Sequence, residues 1–215
     1  MADAAFVAAM EDILDLYCLP YDEFYPVVCM DEKPYQLFDN VLEPLPMKPG
    51  EPKRIDYEYE RKGTCSIFVF TEPLTGWNYA NARARRTAVD FAHEIKTLLT
   101  VHFPKAKKVR LASDNLNTHI PASLYKAFPA MEARELLKRI EFHYTPKHGS
   151  WLNIAEISIS LLARQCINRR IPDLFTLNNE ITAWCNEYNN NRTPVKWQFT
   201  TDDARIKLHK LYPQI

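Results

Sequence analysis

The chain has 215 residues, 47% of them hydrophobic and 12% aromatic, enough for one substantial core and unlike a disordered or fibrous protein. Its 27 lysines and arginines balance 27 aspartates and glutamates, which argues against a purely electrostatic DNA binder while leaving a local basic groove open. Five cysteines, an odd number spread among apolar neighbours, exclude a disulfide scaffold and lack zinc-ligand spacing; with no leader and no run long enough to span a bilayer, a cytoplasmic protein is expected.

The segment AFVAAMEDILDLYCLP places Phe6, Met10, Ile13, Leu14 and Tyr17 at helical spacing, with Pro20 just beyond. One short apolar stripe of this kind needs a partner surface. PVVCMDEKPYQLF predicts a strand that starts at Val27 and passes an irregularity at Pro34, since proline cannot donate to a ladder. Residues 40–58 contain Pro44, Pro46, Pro49 and Pro52 and no periodicity, which reads as a long loop or arm suited to contacting substrate or a partner. Strands are predicted over 64–70 and 77–81, joined by a turn around Pro73 and Gly76, giving three consecutive antiparallel strands.

A helix is predicted over 87–102, carrying Val89, Ile95, Leu98 and Leu99 and stopped by Phe103-Pro104. VRLASD forms a strand ending at Asp114. Helices over 121–128 and 130–138 precede IEFHYT, whose alternation predicts another strand. Helices over 153–166 and 177–188 follow, and Ala204, Leu208 and Leu211 mark one more short helix. This order predicts a layered α/β domain.

Two predicted strands carry an aspartate beside a hydrophobic run, Asp31 in VVCMD and Asp114 in VRLASD. Burying an unpaired carboxylate is costly, so each is either a turn-forming or capping residue or a member of a site. Asp31 and Glu32 must point to opposite faces; Asp31 is the candidate because Val27 and Cys29 share its parity, although the equally apolar Val28 and Met30 share that of Glu32. Glu156 has a structural reading too, because Asn153 and Glu156 fit a capping box. Its functional reading takes Ile154, Ile157 and Leu161 as the buried stripe and runs Glu156 along a separate row through Ser160 and Ala163. Three converging carboxylates would repel unless divalent cations sat among them, and oxygen donors suit Mg²⁺ or Mn²⁺. Two such ions about 4 Å apart can activate an attacking hydroxyl and stabilise a leaving oxygen in phosphoryl transfer.

MDE around Asp31, ASDNLNTH around Asp114 and YTPKHGSWLNIAE ending at Glu156 closely resemble the catalytic domain of the IS630/Tc1/mariner superfamily of DDE transposases, specifically the bacterial IS630-type enzymes. The resemblance runs from about Met10 to the C-terminal DDARIKLHKLYPQI. It implies an RNase H-like fold, a mixed five-stranded sheet flanked by helices, with residues 1–25 as an N-terminal linker helix and 26–215 as the catalytic domain with a C-terminal helical extension. It also implies that Asp31, Asp114 and Glu156 are both catalytic and metal-binding, holding two Mg²⁺ or Mn²⁺ ions. The interval from Asp114 to Glu156 exceeds that of Tc1-like members, with the extra length in the ELLKR region.

The implied activity is hydrolysis at transposon ends followed by transfer of the freed 3′-hydroxyl into target DNA, without a covalent enzyme–DNA intermediate. Double-stranded DNA, both transposon end and target, is the implied partner, with self-association in the active complex, no membrane, and nucleoid association when bound to DNA. Family members ordinarily carry N-terminal helix-turn-helix modules; this chain has room for one helix before its first strand and resembles a catalytic domain without that reader. The competing readings are an RNase H-like nuclease or resolvase that does not join strands, and an inactive DNA-binding or assembly remnant.

Around the acids, Asn115, His119, Lys147 and His148 are candidates for DNA contact or site support. Gly149 is expected to permit an unusual backbone angle, and Trp151 to anchor the loop by packing. Among basic clusters, Arg83, Arg85, Arg86, Arg164 and Arg169 form the candidate DNA-facing set. Trp184, Tyr188 and Trp197 read as core aromatics packing the last helix and tail.

Overall fold

In the computed structural model, which describes residues 3–213, the apolar alternation between residues 27 and 83 forms three antiparallel strands. These are β1 (Val27–Asn40), β2 (Tyr59–Glu72) and β3 (Trp77–Arg83). Two further strands, β4 (Val109–Ser113) and β5 (Ile140–Tyr144), run parallel to β1 and complete a mixed five-stranded sheet in the order β3-β2-β1-β4-β5. Helices flank it, as expected for an RNase H-like α/β fold: α1 (Ala4–Tyr17), α2 (Ala88–Thr97), α3 (Ala122–Ala127), α4 (Ala130–Lys138), α5 (Ala155–Gln165), α6 (Leu174–Asn190) and α7 (Thr201–Lys207). Met1, Ala2, Gln214 and Ile215, the outermost residues of the two expected segments, lie outside the described residues.

Strand parity distributes the core. Val28, Met30, Phe68 and Phe70 point to one face, where Phe91, Ile95, Leu98, Leu124 and Leu136 from α2, α3, α4 and the turn after α2 cover them. On the opposite face Ile67, Val69, Ala80 and Ala82 meet Leu162 of α5 and Leu177 and Ile181 of α6. Val27 and Cys29, of the same parity as Asp31, pack with Met10, Ile13 and Leu14 of α1 and with Ala155 at the start of α5. The apolar stripe of α1 thus finds its partner surface within this domain. The C-terminal tail closes over it, with Trp197 edge-on to Tyr17 at 5.0 Å and the Arg205 guanidinium paired with Glu11 at 2.9 Å.

Several expectations shift in detail. The ladder irregularity falls between Leu37 and Phe38, whereas Pro34 stays in register opposite Ser66. Beyond Cys29, β1 pairs with β2 alone, which lets a residue without an N–H sit in the strand. The proline-rich arm carries two isolated bridges, Leu45 with Arg54 and Lys48 with Glu51, around Gly50 at φ 84°. In α2, Val89 is exposed and Phe91 takes its place in the core. The helix then passes into a π-helical turn over Leu98–His102, closed by the Phe103 N–H donating to the Leu98 carbonyl at 2.9 Å. In α5, Ile157 is exposed, and Ala155, Ser158 and Leu162 form the buried stripe. Short side chains there let the helix approach β1 and β2 closely.

The cysteines divide by burial. Burial pushes the Cys29 and Cys185 thiols up to about 12 and the Cys65 thiol to about 11, and it raises Cys166 as well. Cys18 is exposed. A thiolate-selective reagent at pH 8 is therefore expected to modify Cys18 alone in the native protein, with the other four reacting only after denaturant is added. Rapid native reaction of two or more thiols, counted by mass spectrometry, would contradict this burial pattern.

Candidate functional site

Asp31 lies within β1, two residues beyond the last pairing of β1 with β4, where the two parallel strands diverge. Asp114 follows directly on the last residue of β4, and Glu156 is in the first turn of α5. Divergence at a strand end opens a crevice, and an acid there reaches solvent without crossing the core. The three carboxylates line one open cavity of about 740 Å³, together with Asn115, Lys147 and His148. Thus the acids from three distant parts of the chain border a common space.

Strand parity separates Asp31 from its neighbour. Asp31 faces the cavity on the side of α1 and α5, with one oxygen accepting the Glu32 N–H at 2.7 Å. Glu32 points through the sheet to the α2 side, with its side chain only 3% exposed. There His119 bridges two carboxylates, with Nδ1 at 2.5 Å from Asp114 Oδ1 and Nε2 at 3.0 Å from Glu32 Oε1. Burial opposes a charge on this imidazole, but its hydrogen bonds to Asp114 and Glu32, and their charges, prevail and push its pKa up to about 9. His119 is therefore built into the support beneath the site, and its buried ring lies 4.8 Å from that of Phe91.

Glu156 is held over the cavity by Asn153 and is not a capping-box partner. Asn153 Nδ2 donates to the Met30 carbonyl at 2.9 Å, and its Oδ1 accepts the Ala155 N–H at 3.1 Å. The Asn153 N–H, which a capping box would offer to Glu156, donates instead to the Ser150 carbonyl at 2.7 Å. One buried amide therefore ties the start of α5 to the residue preceding Asp31. Glu156 is exposed on the row that continues to exposed Ser160, with the half-buried Ala163 beyond it. Replacing Asn153 by Ala leaves the buried Met30 carbonyl unpaired and removes a cap, so a loss of about 1–3 kcal/mol is expected in urea unfolding. An unchanged midpoint would show that the tie is dispensable.

The loop before α5 also differs from expectation. The left-handed backbone angle falls on His148, at φ 66°, not on Gly149. Gly149 is needed for space, since a Cβ there would stand 2.6 Å from the Pro146 ring. A non-glycine residue in this region is strained. Here it sits on the rim of the cavity, and Trp151 packs edge-on against Phe199 at 6.5 Å while remaining half exposed.

The candidate arginines lie outside the cavity lining. Arg83 is bound to buried Glu94 and near Asp90, and Arg169 is paired with Glu180. Arg85, Arg86 and Arg164 are exposed. Trp184 packs against the α5–α6 cluster, with its Nε1–H on Gln165 at 2.8 Å, and Tyr188 lies against it.

The donor chemistry of the cavity suits a hard divalent cation: three carboxylates, each supplying oxygen. Burial, followed by the negative charges of Asp114 and Glu156, pushes the Asp31 carboxyl up to about 6, the response of a space short of positive charge. Carboxylates also repel, and the three border the cavity without meeting: among the described residues, no group of three or more His, Cys, Asp or Glu side chains is positioned to hold a metal ion. Nor, among those residues, is any helix long and apolar enough to cross a membrane.

The sequence matches the model of a family described as DDE superfamily endonuclease over residues 26–178, which includes all three acids. No curated protein matches the chain. The fold is similar to the Mos1 mariner paired end complex with Mn, at 14% identity and TM-score 0.52, covering 96% of this chain and 58% of that one. Similar values hold for the Mos1 strand transfer complex, at 15%, 0.52, 96% and 57%. For the mariner Mos1 paired end complex with Mg they are 14%, 0.51, 98% and 60%. The chain therefore spans less than two thirds of the length of those proteins, and the likeness is one of fold.

Proposed function

Because the chain belongs to the DDE superfamily endonuclease family, we propose that it is the catalytic part of a DNA transposase, cutting at transposon ends and joining the freed 3′-hydroxyl to target DNA. The observation that carries this reading is the cavity shared by Asp31, Asp114 and Glu156, with its acids on adjacent strands and the facing helix. We assign residues 1–25 to a linker segment whose helix α1 packs onto the catalytic domain of residues 26–215.

Two Mg²⁺ or Mn²⁺ ions, when bound, supply activation of the attacking oxygen and stabilisation of the leaving one. Asp31 and Asp114 hold the cations from the sheet, and Glu156 completes the oxygen set from α5. The elevated proton affinity of Asp31 makes the site competent only once this carboxyl has lost its proton, so cation uptake releases protons below about pH 6. Lys147, on the same cavity wall, meets the DNA phosphate. Asn115 and His148 line the same space and contact the DNA beside it. Arg85, Arg86 and Arg164 extend the path of the backbone across the surface, whereas Arg83 and Arg169 are less available because acidic partners engage them. Self-association brings two such sites to a pair of ends, in line with the paired-end and strand-transfer assemblies named for the similar structures.

The test supplies Mn²⁺, a duplex ending in a terminal 3′-hydroxyl of the element and a supercoiled plasmid. Covalent joining of duplex to plasmid is the expected product. Nicked plasmid without joining would replace this reading with a nuclease or resolvase, and retention of DNA with neither product would leave a binding or assembly protein.

A further inference from the structure

Adjacent acids in a strand cannot serve one face, yet both Asp31 and Glu32 are tied to the cavity, the first directly and the second from beneath through His119. Glu32 is nearly sealed from solvent, at 3% side-chain exposure, and one of its oxygens, Oε2, has no partner among the described residues. Burying a carboxylate with half its acceptor capacity unused is costly, and a side chain kept there needs a compensating interaction. That interaction is the His119 ring, 1% exposed, which touches Glu32 with one nitrogen and Asp114 with the other.

The residue is anchored at its backbone as well. Its backbone N–H donates to the Leu116 carbonyl at 2.9 Å, and its carbonyl accepts from Tyr144 Oη at 2.9 Å. A ring held by a carboxylate at each nitrogen cannot turn without breaking one of the two contacts. Glu32 supplies the second of those contacts from the far side of the ring. Without Glu32, the ring loses its hold at Nε2 and Asp114 Oδ1 loses a partner of fixed position.

We propose that Glu32 is a positioning residue that acts through His119, fixing Asp114 with Oδ1 engaged below and Oδ2 turned to the cavity for a divalent cation. This rests on the reading of Asp114 as a cation ligand. The chain of contacts works as the outer shell of metal sites does, by setting a ligand's orientation and basicity before the ion arrives.

The experiment measures Mn²⁺ affinity from the free-ion electron paramagnetic resonance signal, with thermal melts as a control for folding. Glu32→Leu and His119→Gln are each expected to weaken Mn²⁺ binding about 10–100-fold. Glu32→Gln is expected to recover most of the affinity, because its amide oxygen still accepts from Nε2–H. The double variant Glu32→Leu/His119→Gln is expected to be no weaker than the poorer single variant, as for two links of one chain.

Folded Glu32→Leu protein with parental Mn²⁺ affinity would overturn the proposal, as would losses that multiply in the double variant. Should Glu32→Leu fail to fold, parental Mn²⁺ affinity in folded His119→Gln would overturn it equally. Asp114→Asn separates the two levels. If it leaves Mn²⁺ binding intact, the cation-site reading fails; if it abolishes binding while Glu32→Leu does not, only the role of Glu32 fails.

Discussion

Asp31→Asn protein is expected to lose DNA cleavage and joining by about three orders of magnitude, equivalent to roughly 4 kcal/mol of barrier, while becoming more stable than the parent. The two effects share one cause. In the parent, burial and then the charges of Asp114 and Glu156 push the Asp31 carboxyl up to about 6, above its unfolded value near 4. The folded state therefore binds the proton more tightly than the unfolded state. The stability this contributes is complete below about pH 4 and is lost as pH rises through about 6. Asparagine does not ionise and escapes that loss.

The variant should exceed the parent in stability by roughly 1–2 kcal/mol at pH 7, discounted for partial exposure, and the gap should close near pH 4. Urea melts at the two pH values read this directly. A variant that is less stable at pH 7 would mean that Asp31 is a structural carboxylate. Asp114→Asn and Glu156→Gln are expected to lose activity to a similar extent, and retained joining in any of the three would remove that residue from the site.

The largest stability loss is expected at Glu94, outside the cavity lining. Its carboxylate is fully buried and accepts from Tyr79 Oη at 3.0 Å and Asn81 Nδ2 at 2.7 Å, with Arg83 Nε as the third donor. Glu94→Ala leaves a partly buried guanidinium and two polar groups without their acceptor, and about 3–5 kcal/mol should be lost in chemical denaturation. Glu94→Gln keeps an acceptor and should lose less. Equal losses for Ala and Gln would show that charge balance with Arg83, not hydrogen bonding, holds this network.

Glu94 also shows where sequence reading stops. Its place in α2 was legible from periodicity, but a charged residue in an amphipathic helix reads as solvent-facing. Burial was decided by β3, whose Tyr79, Asn81 and Arg83 all point to the same side of the sheet and converge on it. The same contact withdrew Arg83 from the surface set that the charge pattern suggested. In α5, apolar Ile157 attracted the core assignment, yet the sheet approaches closely enough to select Ala155 and Ser158.

The sequence by itself determined the elements and their order, because periods of two and of 3.6 in apolar residues are local properties. It also marked Asp31, Asp114 and Glu156 through three short motifs in a fixed sequence. Tertiary structure decided the rest. Whether Asp31 or Glu32 faces the cavity depends on which side of β1 meets α1 and α5, and equally apolar neighbours on both parities could not reveal that. The ties through Asn153 and His119 join residues 123 and 87 positions apart. Such contacts exist only once strand divergence has opened a crevice and packed helices have aimed their side chains into it, so no local pattern encodes them.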